Sequence, residues 1–254
     1  MDILNITQNP EIDESIERYE YHSYEPITGT DLNQPGEVRI NVETQDLFTH
    51  PSENYLVFDR KLVQNADDAS YANADVITLT NNAMMHLFSN IKYQLSGQEI
   101  ESLFHPGQAT TLLGLLKFPD DFHKSTGLNQ LWFKDAGAIA HLQNNIGFAA
   151  RQTYILQKPD QKGTFSFRVP LKHIFGFCDD YDKVVYGFKH QLTLVRKDDN
   201  DAIFRNNTAD AGKIVLTKFS WYMSHVTPNL QEKIALYKTI ESKSSLPVGY
   251  RMIQ

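Results

Sequence analysis

The stretch FSFRVPLKHIFGFCDDYDKVVYGFKHQLTLVR, residues 165–196, decides the fold. It begins with Phe165, Phe167 and Val169, each separated from the next by one polar residue. This alternation predicts a strand with one apolar face on a core. Pro170 follows, and because it lacks a backbone N–H group it is predicted to end the strand.

The rest of this stretch predicts a helical turn, an acidic turn and a second strand. Residues 171–177 place leucine, isoleucine and phenylalanine side chains around Gly176, which favours a short turn of helix inserted into a core. The sequence CDDYD at 178–182 predicts a turn, and residues 184–196 predict a long strand. Nothing in this arrangement is positioned to do chemistry.

Three blocks of sequence carry a resemblance to a known family. They are LTNNA, HLF, IKY and GQEIE within residues 79–101, PLKHIFGFCDDYDKVVYG at 170–187, and KFSWYMSHV at 218–226. In this order they resemble the double jelly-roll major capsid proteins of polinton-like (Maverick, adintovirus) elements, over roughly residues 36–252. The resemblance implies two jelly rolls per chain, a pseudo-hexagonal homotrimer, and a virion shell assembled inside the host cell, in the cytoplasm or nucleus.

Length and composition limit the class of protein. The 254 residues, 41% hydrophobic and 22% charged, are enough for one large all-β domain or two small ones. The single cysteine, Cys178, excludes a disulfide framework and is predicted to be a buried small hydrophobic residue rather than a nucleophile. No run of 18 apolar residues exists, which predicts no membrane span, and the acidic N-terminus lacks the basic region of a secretory signal.

The net charge of −7 is concentrated near the start of the sequence. Residues 1–25 hold seven acidic residues and one arginine, a balance of −6, which leaves −1 for the rest of the chain. Direct recognition of nucleic acid needs clustered lysine and arginine to displace counterions. The sequence therefore predicts no sequence-specific nucleic-acid binding.

Residues 1–25 are predicted to be an acidic N-terminal arm. Asn9 and Pro10 suit the start of a helix, and Ile12, Ile16 and Tyr19 would lie on one side of it. So short a helix is marginal alone. Two interpretations stay open: a frayed tail, and an arm that orders only against a neighbouring subunit.

Residues 26–228 are predicted to form the jelly-roll domain. About eight short segments with period-2 alternation and regular turn signals indicate an all-β, antiparallel jelly-roll sandwich with a few short helices in loops. Residues 104–150 form a predicted helix and loop insertion, in which four leucines between 112 and 116 occupy one or two helical turns ended by Pro119. Residues 119–150 look irregular and predict a functional loop or a place where subunits meet. Residues 154–156 are expected to resume the sandwich.

Residues 229–254 predict a connector helix, over 231–242, and a strand over 247–253. That strand matches the start of a second jelly roll, so the chain departs from the family by supplying one roll and the beginning of another. A fragment, a truncated genomic copy and a single-roll derivative all remain possible explanations.

No catalytic, cofactor-binding or metal-binding residue is predicted. None of the nine histidines forms H-x-H or H-E-x-x-H, and G-x-S-x-G, Walker A and G-x-G-x-x-G sequences are absent. His173 is expected at the edge of the core, bonded to a backbone carbonyl. The acidic turns at 179–182 and 198–201 could hold a cation at a subunit boundary, but solvated turns are favoured.

Three functions follow, from different classes. The first is a structural, non-enzymatic capsid protein that associates as a homotrimer and with other capsid proteins, without a small-molecule substrate. Its contacts are expected at residues 119–150 and the acidic arm. The second is a lectin-like jelly roll that binds a carbohydrate through Trp132 and Phe133, and the third is a domesticated or truncated endogenous viral copy with no assembly role. The residues expected to form the core are Phe165, Phe167, Phe175, Phe177 and Trp221.

Overall fold

The structure, a computed structural model, describes residues 14–27, 31–43, 48–136, 144–243 and 246–253. The strands in these residues are β1 (Ile16–Tyr24), β2 (Gly36–Val42), β3 (Phe48–Thr49), β4 (Tyr55–Gln64), β5 (Ile77–Leu79), β6 (Phe88–Leu95), β7 (Gln98–Phe104), β8 (Thr164–Pro170), β9 (Val185–Tyr186), β10 (His190–Arg196), β11 (Ile203–Arg205) and β12 (Gly212–Pro228). The helices are α1 (Ala83–His86), α2 (Pro106–Lys117), α3 (Ile146–Leu156), α4 (Gly176–Asp180) and α5 (Leu230–Glu241).

The eight strands of seven or more residues form two antiparallel sheets. One sheet has the order β1–β12–β4–β8, and the other has the order β2–β10–β6–β7. The short strands β3 and β9 extend the first sheet, while β5 and β11 pair separately. Because the chain passes back and forth between two facing sheets, the winding is that of a jelly roll, and the predicted fold is confirmed.

The core lies between the two sheets and contains the aromatic residues predicted for it. Phe165 and Phe167 of β8, Phe175 and Phe177 around α4, and Trp221 of β12 are all buried. Each buried aromatic side chain of this size contributes about 1.5–3 kcal/mol. The stretch 165–196 therefore lies at the centre of the fold.

The first strand corrects the helix predicted for the N-terminal arm. Ile16–Tyr24 is strand β1, which pairs antiparallel with the second half of β12 from Tyr24 opposite Trp221 to Ile16 opposite Pro228. The helical assignment of Ile16 and Tyr19 was wrong because the free edge of β12 supplies backbone partners that the local sequence does not reveal. Asn9, Pro10 and Ile12 lie outside the described residues.

Two further elements differ from the sequence prediction. Residues 154–156 belong to helix α3 rather than to a strand, and the Asn145 side chain caps that helix by accepting the Phe148 N–H at 3.1 Å. The long strand predicted over 184–196 is divided into β9 and β10, since Gly187 between them has a positive φ of 73° that strand pairing does not tolerate.

Of the helix and the strand predicted within residues 229–254, only the helix is present. Helix α5 forms where the connector helix was expected. The strand predicted over 247–253 is not formed: residues 246–253 have no regular secondary structure. Their backbone donors are used by carboxylate side chains, since Arg251 N donates to Asp180 and Ile253 N donates to Glu101.

Candidate assembly surface

Helix α2 is oriented with its small residues toward the body of the protein. Gly107, Thr110 and Gly114 are buried, and their spacing of three and four places them on one face of the helix. A Cβ atom on Gly114 would overlap the Trp132 ring, and one on Gly107 would overlap His86. Glycine at these two positions therefore lets the helix backbone press against the body.

Polar contacts fix the same orientation. The Asn82 side chain donates to the Thr110 hydroxyl at 2.7 Å, and that hydroxyl donates to the Pro106 carbonyl at 2.6 Å. Pro106 occupies the first turn of α2, a position where its missing N–H costs nothing. The helix is thus held at its N-terminal end and along its small-residue face.

The opposite face of α2 presents leucine to solvent. Leu112 is 63% exposed and Leu116 is 87% exposed, while Leu113 and Leu115 are also on the surface. The charged residue of the helix, Lys117, lies at its end and pairs with Asp179 at 2.6 Å. We define these four leucines as the α2 leucine face. An uncharged apolar face of this kind is typical of an interaction surface.

A cleft of about 350 Å³ lies beside this face. Leu113 and Gly114 of α2 form one wall, and Arg251 and Met252 form another. The 246–253 segment therefore runs next to the α2 leucine face.

The 246–253 segment is fastened by the acidic turn. Arg251 donates from its side chain to Asp180 at 2.7 Å and to Asp179 at 2.7 Å. These hydrogen bonds lower the pKa of Asp180 to about 2 and raise the pKa of Arg251. Two of the carboxylates that were considered as cation ligands, Asp179 and Asp180, are thus engaged by a cation of the chain itself.

The other acidic residues also have partners within the chain. Asp182 accepts from the Ser52 hydroxyl at 2.8 Å and contacts His50 at 2.6 Å. In the second turn Asp199 accepts from Arg196 at 2.6 Å and from Ile214 N at 2.7 Å. No group of three side chains suited to a metal ion occurs in the described residues.

Glu101 forms the structural centre beneath this turn. Its carboxylate is fully buried and accepts three backbone N–H groups: Gly176 at 3.1 Å, Phe177 at 3.0 Å and Ile253 at 2.9 Å. Buried carboxylates require such hydrogen bonds to replace water. One residue thus joins strand β7, helix α4 and the 246–253 segment.

Three histidines lie in or at the edge of the core. Burial lowers the pKa of His173 to about 4, of His190 to about 3 and of His225 to about 4. The partner predicted for His173 was wrong: its Nδ1 accepts from the Gln130 amide at 2.7 Å rather than bonding a backbone carbonyl.

His190 is held neutral by its partners. The Thr49 hydroxyl donates to the Val185 carbonyl, so Nε2–H of His190 donates to Thr49 at 2.8 Å. Nδ1 then accepts from the Tyr93 hydroxyl at 2.7 Å. Both ring nitrogens are satisfied in the neutral form, which is the arrangement of a structural histidine.

The other candidate residues are packed into the body. Cys178 is buried, as predicted, and burial together with the nearby Glu101 carboxylate raises its pKa. Trp132 is only 2% exposed and lies under α2, so it offers no carbohydrate platform. The lectin-like hypothesis fails on this observation.

Comparison with known proteins identifies the family of the chain. Residues 77–254 match the family described as the double jelly roll-like domain, which is more than half of the chain. The chain belongs to this family. No curated protein is significantly similar to it in sequence.

Several solved structures share the fold. A chain of the Sputnik virophage structure superposes with a TM-score of 0.59 at 12% identity, covering 90% of this chain and 51% of that one. The Faustovirus major capsid protein superposes with a TM-score of 0.54 at 10% identity, and the match covers 92% of this chain and 58% of that one. VP54 of PBCV-1 superposes with a TM-score of 0.53 at 14% identity, and the match covers 90% of this chain and 46% of that one. The chain thus spans about half the length of the proteins in these structures.

Residues 119–150 were predicted to carry contacts. In the described part of this range Phe122, Gln130 and Trp132 are buried, whereas Leu128 and Ile146 are exposed. A further group of exposed apolar side chains, the α2 leucine face, lies outside this range. The signal was present in the sequence, since glycine and threonine at 107, 110 and 114 occupy one helical face and the leucines occupy the other.

No helix in the described part of the chain is long and apolar enough to cross a membrane.

Proposed function

We propose that this chain is a capsid-type building block that self-associates, as a homotrimer, and builds an icosahedral shell together with other capsid proteins. Membership of the double jelly roll-like domain family and the fold shared with the Faustovirus major capsid protein support this proposal. The α2 leucine face is the observation that carries it. The proposal includes no catalytic step and no cofactor, and it places the protein in the virion after assembly inside the host cell.

Leucine side chains exposed to water on α2 carry a cost in free energy. Transfer of apolar surface out of water gains about 25 cal/mol per Å². Leu112 and Leu116 gain only part of this free energy in the isolated chain because most of their surface faces solvent. A partner that covers α2 recovers that free energy, and no desolvated charge opposes the contact.

Charge makes α2 a suitable place for two copies to meet. Of the net charge of −7, −6 lies in residues 1–25, so copies repel where these residues approach each other. The α2 leucine face has no charged side chain, and Lys117 beside it is neutralised by Asp179. We therefore assign α2, rather than residues 119–150 or the acidic arm, as the main contact between copies.

We retain two predictions, that residues 229–254 are the connector to a second jelly roll and that the chain has a polinton-like origin. The first sheet includes β1, so residues 16–24 contribute to the roll.

The test compares two leucine variants by analytical ultracentrifugation. The double variant Leu112→Gln with Leu116→Gln removes the most exposed leucines, and Leu128→Gln, also on an exposed leucine but outside α2, is the control. We expect wild-type chain and the control to associate at micromolar concentration and the double variant to stay monomeric. Equal association of all three proteins would overturn the assignment of α2, and a monomeric wild type would favour a copy without an assembly role.

A further inference from the structure

The 246–253 segment is held on the body by four specific groups. The Tyr250 hydroxyl donates to the Ile100 carbonyl at 2.9 Å, and Arg251 N donates to Asp180 at 2.7 Å. Ile253 N donates to Glu101, and the Arg251 side chain pairs with both aspartates. Since no strand or helix forms here, three carboxylate side chains and one backbone carbonyl of the body provide the binding.

The surface that receives the segment is positioned by contacts within the body. Glu101 accepts from Gly176 N and Phe177 N through its two oxygens, and neither of these hydrogen bonds uses an atom of the segment. The Tyr250 ring meets Phe177 edge-on, with ring centroids 5.3 Å apart. A Cβ atom on Gly176 would overlap the Arg251 carbonyl, so a bare backbone is needed at this position.

These groups form a receptor with three distinct elements. A pair of carboxylates, Asp179 and Asp180, recognises arginine; an aromatic edge recognises tyrosine; and the glycine admits the peptide backbone. We define Glu101, Gly176, Phe177, Asp179 and Asp180 as the segment site.

Outside these contacts the C-terminal part is loosely attached. Helix α5 has no buried residue and touches the body through Tyr237, which packs against Phe48 and Tyr186. Within the segment Val248 and Met252 are exposed. Residues 250–253 therefore carry most of the binding.

We propose that the segment site is a peptide-binding site that accepts the sequence Tyr-Arg-Met-Ile of residues 250–253 from a second copy of the chain as well as from its own. A site positioned by contacts within the body binds the same peptide from either source. Exchange of an identical element between copies is a low-cost route to association. The inference rests on the proposed function only for its setting, because exchange would link neighbouring subunits of a shell.

Local concentration decides which source fills the site. A tethered segment has an effective concentration on the order of millimolar, so it occupies its own site in dilute solution. Neighbouring copies in an assembly reach the same order of concentration. Exchange therefore becomes competitive on assembly, while the dilute protein remains closed.

The test uses the full chain and a labelled peptide of residues 246–253. Arg251→Glu reverses the charge that faces Asp179 and Asp180, and since Arg251 is 71% exposed the substitution leaves the core untouched. We expect the variant to release its own segment, seen as loss of hydrogen-exchange protection at the amides of residues 251 and 253. The peptide should then bind the variant at least tenfold more tightly than it binds wild type, by fluorescence anisotropy.

Two controls make the result specific. A peptide with glutamate in place of arginine should not bind the variant. The double variant Arg251→Glu with Asp180→Arg places opposite charges at positions 251 and 180 again, so it should regain protection at the amide of residue 253, whose acceptor Glu101 is unchanged, and lose peptide binding. Retained protection in Arg251→Glu, or equal binding to variant and wild type, or binding to neither, would overturn the inference. The measurement is made on dilute chain, so its outcome is independent of whether α2 mediates assembly.

Discussion

Replacing Glu101 with glutamine tests how the fold is joined at its most connected point. The carboxylate lies on β7 and has no exposed surface. One oxygen accepts from Gly176 N at 3.1 Å and from Ile253 N at 2.9 Å, and the other accepts from Phe177 N at 3.0 Å. The substitution preserves size while it exchanges one acceptor oxygen for an NH₂ donor.

The expected cost follows from these three bonds. In glutamine either the oxygen serves Phe177 and the amide faces Gly176 and Ile253, or the reverse. At least one buried N–H group then loses its acceptor and faces a donor. An unsatisfied buried donor costs about 1–3 kcal/mol, and hydrogen bonds to a charged group contribute about 1.5–3 kcal/mol. We expect Glu101→Gln to lower the free energy of unfolding by about 2–4 kcal/mol.

Urea unfolding of wild type and two variants measures this loss. Glu99→Gln is the matched control: Glu99 lies on the same strand, is exposed, and pairs with Lys92 at 2.9 Å. An exposed pair contributes about 0–1 kcal/mol, so the control should stay close to wild type. If Glu101→Gln is no more destabilised than Glu99→Gln, the role assigned to the carboxylate is refuted.

Two further predictions concern helix packing and pH. Gly114→Ala places a methyl group into the Trp132 ring and should destabilise by about 1–3 kcal/mol despite better helix propensity, lowering Tm in calorimetry, whereas Leu116→Ala on the exposed face should not. The pKa of His190 is about 3 in the folded chain and 6.5 in the unfolded chain. Its contribution to the free energy of unfolding is therefore complete above pH 6.5 and decreases as the pH falls toward 3, with a loss of about 2 kcal/mol at pH 5. His190→Gln should flatten the urea-measured stability profile between pH 6.5 and 4, and an unchanged slope would contradict the buried neutral histidine.

The secondary structure of residues 165–196 was predictable because the sequence signals that determine it are local. The alternation of Phe165, Phe167 and Val169 determines which face of β8 is buried without knowledge of its partner. The aromatic residues around Gly176 likewise predicted a helical turn in the core, and α4 begins there but extends over residues 178–180, which were predicted as a turn. Apart from β1, the long strands were predicted from the sequence, most of them from the same period-2 pattern.

Strand β1 could not be assigned from its own residues. Ile16 and Tyr19 satisfy a helical spacing, while Tyr19 and Tyr21 alternate as in a strand. The free edge of β12, about 200 residues later in the chain, decides between them. Local propensity is a weak guide where a distant strand supplies the hydrogen bonds.

The functional surfaces depended on long-range contacts in the same way. The sequence predicted that the leucines of α2 lie in a helix, but the inward direction of Gly107 and Gly114 depends on Trp132 and His86. The segment site joins Arg251 to Asp180, 71 residues apart. No sequence pattern indicates that this pair meets, so the predicted strand at 247–253 was the simpler interpretation.

The mass of the unmodified chain in solution tests the central claim most directly. Light scattering over a range of concentrations, with electron microscopy of the same sample, reports whether copies associate. The account predicts that the mass rises from 29.1 kDa to about three times that value, or to shells, as concentration increases. A chain that remains at the monomer mass up to the highest concentration would contradict self-association through α2.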